Sequence, residues 1–238
     1  MFKTSRRRRG KKALRKRRTR RKQRGGNAAH IPRVCFQTSK EPIKPYIVDQ
    51  LKTYLDGWEY KHFTDEQIMK FFKEERHPNY PEAVLVDKFN SFTYGEHKAD
   101  LFRYYYLMLK GGAFIDADLL IYTPMNNIIG NHRFVSVRAL RPPGSVFNGF
   151  LAATPGHPII QEALDDIMKV DNETLKKYYH LLVAKMGTHV DKHMSEGVYL
   201  LKEISNNDKS CNIEDPATGK IVMVHYQNMD PPHQRPDL

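Results

Sequence analysis

Asp116 and Asp118 stand on either side of a small residue, Ala117, directly after the apolar run Ala113-Phe114-Ile115. That run reads as a strand, and ligands of open α/β sheets bind beyond the carboxyl ends of strands. Two carboxylates there can hold a hard divalent cation, Mg²⁺ or Mn²⁺, which keeps positions open for phosphate oxygens. Such a cation would offset the charge that grows on a departing diphosphate. Two solvated acids would give the same short pattern, so D-x-D needs its surroundings to mean anything.

A second pair lies upstream. Asp100 and Arg103 fall in the stretch Glu96 to Lys110, whose apolar residues Leu101, Tyr104, Tyr105, Met108 and Leu109 follow helical spacing. Residues three apart share a helix face. Gly111-Gly112 closes the helix and leads straight into the strand before Asp116. The face is thereby turned towards the strand's end. Asp100 can accept hydrogen bonds from ribose or sugar hydroxyls, and Arg103 can contact sugar hydroxyls or a diphosphate. A surface ion pair within one helix is the plain alternative.

The elements that must position these residues alternate. Strands are expected at Val34-Cys35-Phe36, Trp58 to Phe63, Phe134 to Val137, Val146 to Ala152 and Ile221 to His225. Helices are expected at Lys44 to Leu55, Pro81 to Phe92, His157 to Lys169 and Glu173 to Lys185. Thr64-Asp65-Glu66-Gln67 is a capping box that opens another helix, running to about Glu75. Such alternation predicts an α/β domain with a mainly parallel sheet. Tyr104-Tyr105-Tyr106 reads as core, Asp165-Asp166 as the solvated face of a helix, and Pro142-Pro143-Gly144 as a loop.

Four blocks, in order, resemble glycosyltransferase family 32, the enzymes with a DXD sugar-binding motif. They are Ile31 to Thr38, His97-Lys98-Ala99-Asp100-Leu101-Phe102-Arg103-Tyr104, Leu109 to Asp118, and Asn148 to Pro158. This group includes yeast initiating α-1,6-mannosyltransferases and inositol-phosphoceramide mannosyltransferases. The resemblance implies a GT-A-like fold, transfer of a hexose or N-acetylhexosamine from a UDP- or GDP-sugar donor, Mn²⁺ or Mg²⁺, and retention of configuration at the anomeric carbon. It also implies a glycan, lipid or protein acceptor. By the same resemblance Asp118 binds the metal directly, and Asp116 binds it through water or else the donor ribose. Asp100 and Arg103 hold the donor sugar, Gln37 lies near the base or ribose, and Asn148 faces the sugar or the acceptor. No catalytic nucleophile is implied, because a front-face displacement guided by the leaving phosphate is favoured for many such enzymes.

The chain also departs from that pattern. Its opening block reads Phe36-Gln37-Thr38-Ser39 where the family usually has His-Gln-Thr-Trp, so base stacking at position 39 lacks its aromatic ring. His225 is the candidate for the family's C-terminal metal-site histidine, but no Ser-Trp follows it. Gly187-Thr188-His189 stands where relatives carry a turn, with His189 expected in a loop.

Charge divides the chain. Residues 1–26 hold fifteen of the 39 Lys and Arg and no acid, leaving 24 basic against 27 acidic residues in the remainder, a net of −3. A basic arm over 1–27 is expected to be disordered, ahead of one domain over 28–238. The arm suits nucleic acid or an anionic membrane face. Two cysteines without C-x-x-C spacing exclude a disulfide framework. No apolar run is long enough to span a membrane, and none follows the arm as a leader would. A cytoplasmic, membrane-peripheral or particle-associated placement is therefore expected over the Golgi lumen.

Two rivals stand beside this reading. In a haloacid-dehalogenase-type phosphatase Asp116 would be the phosphorylated nucleophile and Asp118 the acid/base. Leu120 replaces the Thr of that motif, and Asp100 and Arg103 would have no task. A non-catalytic nucleic-acid-binding protein would use the arm, but the net −3 of the remainder argues against a basic groove there.

Overall fold

A computed structural model describes residues 30–194 and 197–227. The basic arm lies outside the described residues, as do residues 228–238 of the expected domain. The elements run β1 (Val34–Thr38), α1 (Pro45–Thr53), β2 (Glu59–Phe63), α2 (Asp65–Glu74), α3 (Glu82–Ser91), α4 (Gly95–Lys110), β3 (Gly112–Ile115), β4 (Leu119–Ile121), α5 (Met125–Ile129), β5 (Phe134–Arg138), β6 (Val146–Ala153), α6 (Pro158–Lys169), α7 (Asn172–Lys177), α8 (Leu181–Lys192), β7 (Val198–Ser205), β8 (Cys211–Asp215) and β9 (Lys220–His225). The strands form one sheet in the order β2-β1-β3-β6-β5-β7-β8-β9-β4.

Alternation along each central strand builds a core on both faces of this sheet. Phe36, Phe114, Leu151 and Ala153 face one core, against α2, α3, α4, α6 and α8. Their neighbours Cys35, Ala113, Ile115, Phe150 and Ala152 face the other, against α1 and α5. The sheet is mixed: the expected parallel pairing joins β1 to β2 and to β3, and β5 to β7. The remaining pairings are antiparallel. Short connections account for β7–β8 and β8–β9, since a tight turn cannot make the crossover that parallel strands need.

Local chemistry accounts for several boundaries. Thr64 accepts from the Gln67 N–H, and the Gln67 side chain accepts from the Thr64 N–H, so the expected capping box opens α2. Gly111 ends α4 in a left-handed conformation (φ 68°), its N–H donating to Leu107 O. Gly112 follows at φ 114°, and a Cβ there would lie 2.6 Å from the Val34 carbonyl oxygen. Both positions need glycine. Tyr104, Tyr105 and Tyr106 are buried, as the helical spacing predicts.

Two expectations are corrected here. The single helix over Glu173 to Lys185 is two helices, because the chain leaves helical geometry at Tyr178 (φ −125°, ψ 70°). Gly187-Thr188-His189 lies inside α8 and not in a loop. Gly187 is there for contact: a Cβ would stand 2.0 Å from the Gly144 carbonyl oxygen. The loop before β6, residues 139–145, thus rests directly on α8.

In an open helix Gly→Ala stabilises by about 1 kcal/mol. Gly187→Ala should instead destabilise by roughly 2 kcal/mol, because the 139–145 loop must move. A urea midpoint that rises in this variant would show that the loop yields freely.

Candidate functional site

The α4–β3 junction sets the geometry. Arg103 precedes Gly111 by eight residues, roughly 12 Å of helix. Asp116 follows Gly112 by four, roughly 13 Å of strand. The two arms of the turn are matched, so Arg103 comes back beside Asp116, with Nη2 3.5 Å from Oδ1. Strand β6 runs antiparallel to β3 with Phe150 opposite Ile115, which delivers Asn148 and Gly149 to the same place. The Asp116 N–H donates to Gly149 O at 2.8 Å.

A polar cluster results at the wall of an open cavity of about 1410 Å³. Arg103 Nε lies 3.6 Å from Asp100 Oδ1, and Arg103 Nη1 donates to Asn148 O at 2.5 Å. The guanidinium also stacks 3.9 Å above the Phe114 ring. Asn148 Nδ2 donates to Asp100 Oδ1 (3.1 Å) and to the Tyr104 hydroxyl (2.6 Å). Arg103 Nε and Asn148 Oδ1 are buried without a hydrogen-bond partner, which leaves a donor and an acceptor for a ligand. The expected grouping of Asp100, Arg103, Asp116 and Asn148 is therefore present.

Asp118 sits across Ala117 in a second ion group. Leu119 pairs with His225 in the β4–β9 ladder, and Tyr226 N–H donates to Asp118 O at 2.9 Å. This register puts His225 Nε2 3.6 Å from Asp118 Oδ2, while Nδ1 lies 3.3 Å from Glu203 Oε1 on β7. Glu203 is oriented in turn by the Leu140 N–H at 2.8 Å. The Phe147 ring lies against the imidazole, centroids 4.4 Å apart.

Gln37 needs correction as a donor-binding residue. It is fully buried, and both ends of its amide are engaged. Nε2 donates to Asp116 O at 3.3 Å, and Oε1 accepts from the Tyr60 hydroxyl at 3.0 Å. It braces the Asp116 backbone from behind. Phe36 points into the core beneath α4, 4.2 Å from the Tyr106 ring, so its departure from the family pattern changes packing. Ser39 does line the cavity, with its hydroxyl 2.7 Å from His62 Nε2. Asp166 and His189 lie elsewhere: His189 on α8 bonds Asp166 (2.7 Å) and Glu162 (2.9 Å) on α6.

Sequence reasoning missed three contributors. Tyr104 follows Asp100 by four residues and so shares its helix face, a signal that spacing alone offered. Tyr60 and Glu203 carry no local signal, because each reaches the site through strand pairing.

Charge in the site is unbalanced. Asp100, Asp116, Asp118 and Glu203 face one guanidinium and one imidazole. Burial raises the Asp100 carboxyl to about 6, with Arg103 opposing. It raises Asp116 as well, against Arg103 and with Asp118 adding to the push. Burial alone would lower His225, but its bonds to Asp118 and Glu203 outweigh that and raise it to about 9.

A pKa of about 9 exceeds the ordinary value of 6.5, so protonated His225 stabilises the fold. That stabilisation is complete below about pH 6.5 and fades as pH rises through about 9. In chelator-treated protein the melting temperature of wild type should exceed that of His225→Gln at pH 6, with the gap closing by pH 9.5. A gap that widens with pH would contradict the ion group.

The site can be set beside known proteins. Residues 44–135 match the family model described as a glycosyltransferase sugar-binding region containing the DXD motif. Asp100, Arg103, Asp116 and Asp118 fall inside that match. Inositol phosphoceramide mannosyltransferase 1 of Schizosaccharomyces pombe is 32% identical over 64% of this chain and 48% of its own length. The initiation-specific alpha-1,6-mannosyltransferase of the same yeast is 26% identical over 72% of this chain and 47% of its own. The chain spans about half the length of these curated relatives. Among solved structures, PaToxG glycosyltransferase superposes with a TM-score of 0.50 at 13% identity, over 69% of this chain and 70% of that one. The fold is of the GT-A type. The yeast mannosyltransferases among these relatives overturn the expected placement away from the Golgi lumen. What can be said of membranes is that no helix among the described residues is long and apolar enough to cross one. Asp116-Ala117-Asp118 thus stands within the stretch that matches the DXD-containing sugar-binding region of glycosyltransferases, on a fold of the GT-A type.

Proposed function

We propose that the domain transfers a hexose from a UDP- or GDP-sugar to an acceptor hydroxyl, with retention and with Mn²⁺ or Mg²⁺ bound. The observation that carries this is the Asp100–Arg103–Asn148–Asp116 cluster, with Arg103 Nε and Asn148 Oδ1 buried without a hydrogen bond at the cavity wall. Polar atoms of both kinds beside a carboxylate and a guanidinium suit the hydroxyls of a sugar and the oxygens of a diphosphate. The names of the yeast relatives support mannose among the hexoses.

The donor set also fits the cation. Asp116 and Asp118 both line the cavity, on either side of Ala117. Among the described residues no three acidic, histidine or cysteine side chains close into a metal cage. An open pair of carboxylates suits a hard cation that shares its coordination with substrate phosphates. Asp118 and Asp116 would hold it, with His225 Nε2 available on the Asp118 side once deprotonated. When bound, the cation supplies positive charge at the leaving diphosphate.

The chain's own residues do the rest. Asp100 and Asn148 Oδ1 accept hydrogen bonds from the sugar hydroxyls, and Arg103 Nε donates one. Arg103 steadies Asp116 and the sugar or phosphate oxygens. Glu203 holds His225, and Gln37 fixes the backbone of Asp116. The bond from the anomeric carbon to the acceptor oxygen forms as the bond to the diphosphate breaks. The acceptor proton passes to a leaving phosphate oxygen on the same face of the sugar, which preserves configuration.

Turnover should be measured across a panel of UDP- and GDP-sugars, with and without Mn²⁺. One donor should be consumed in a metal-dependent way. Asp118→Ala and Arg103→Lys should each lower that turnover by on the order of 100-fold, with unchanged far-UV circular dichroism. Folded wild-type protein that binds no donor would sink the reading.

A further inference from the structure

A polar stripe runs along α4. His97 lies three residues before Asp100, and Arg103 and Tyr104 lie three and four after it, so all four share one face. Three of them are tied into the cluster already described. His97 is the exception. It is 2% exposed and lies against the cavity, yet neither Nδ1 nor Nε2 has a hydrogen-bond partner. Both nitrogens of a buried imidazole rarely go unbonded without a ligand to meet them. Burial lowers its pKa, with Glu96 opposing, so the neutral ring offers one donor and one acceptor.

Aromatic rings surround this histidine. Phe92, Tyr94 and Tyr179 have centroids 6.0, 5.8 and 6.1 Å from it. Phe92 is core, but Tyr94 and Tyr179 are 43% and 53% exposed. Tyr179 belongs to the connector between α7 and α8 and lines the cavity. Burial raises its hydroxyl pKa, with the charges of Glu96, Asp100 and Asp116 adding to the shift and Arg103 opposing it. Tyr179 thus presents an exposed ring to the cavity beside His97, and Tyr94 is a second exposed ring next to the same imidazole.

Exposed rings beside an unsatisfied donor and acceptor match one ligand chemistry well. A pyranose presents C–H faces that pack on aromatic rings and hydroxyls that bond to polar groups at its edge. Its position outside the Asp100–Arg103–Asn148 cluster suits the second substrate, which must arrive from solvent after the donor sugar is seated. We infer that Tyr179 and His97 form the acceptor subsite, with Tyr94 beside them, and that it takes a pyranose ring packed on Tyr179 and hydrogen-bonded to His97. This rests on the glycosyl-transfer reading above.

Ligand-observed saturation-transfer NMR tests it, using the full chain with Mg²⁺ and either GDP or UDP. The probes are methyl α-D-mannopyranoside and myo-inositol. Wild type should saturate the ring C–H protons of the mannoside. Tyr179→Ala should weaken that binding about tenfold, while Tyr179→Phe stays within about twofold. His97→Gln should weaken it too, and nucleotide signals should hold in all three variants. Undiminished mannoside binding in Tyr179→Ala would overturn the subsite, as would loss of nucleotide binding in step with it. Stronger saturation of myo-inositol than of the mannoside would overturn the pyranose assignment. Absence of any GDP or UDP signal in wild type would instead remove the transfer reading itself, and the subsite with it.

Discussion

The guanidinium of Arg103 is only 4% exposed, and a buried charge is tolerable only when it is paired and hydrogen-bonded. Its neighbours come from three elements: Asp100 one turn earlier on α4, Asp116 beyond β3, and the Asn148 carbonyl on β6. Phe114 supplies an aromatic face beneath it. None of these contacts is possible unless α4 folds straight back along β3. Gly111 and Gly112 make that reversal, and Val34 on the neighbouring strand leaves no room for a side chain at Gly112. Sheet, turn and helix are therefore bound to one arginine.

A second charge group mirrors the first across Ala117. Strand β9 brings His225 to Asp118, and β7 brings Glu203 to His225. Each aspartate of the motif thus faces its own cation, and each cation is held by a second acid. Acids still outnumber cations in the combined site. Asp100 and Asp116 are held above the usual carboxylate range by burial, a shift that nearby positive charge opposes. That imbalance is the electrostatic argument for the divalent cation in the proposed reaction.

On the far side of the helical layer, charge serves packing. Glu162 and Asp166 on α6 meet His189 on α8, and Lys185, Lys192 and His193 add further bonds. Helix α8 is held by this cluster on one flank and by the Gly187–Gly144 contact on another. Its start fixes the connector that carries Tyr179, and the loop it supports carries Leu140, whose N–H orients Glu203. Residues far from the reacting groups thereby decide the shape of the cavity's rim.

Some of this was legible in the residue order. The capping box at Thr64, the glycine stop after α4, the strand before Asp116 and the shared face of Asp100 and Arg103 all follow from local periodicity and turn chemistry. Other features needed the folded sheet. Gln37 changed from a ligand contact to a brace, and His189 from a loop residue to a clamp between helices. Glu203 and Tyr60 entered the site without any local mark. Gln37 and Asp116 are 79 residues apart in the chain, and their bond exists because β1 pairs with β3 in one register. Spacing along the chain encodes what one helix or strand presents, whereas register between distant strands decides which presented groups meet.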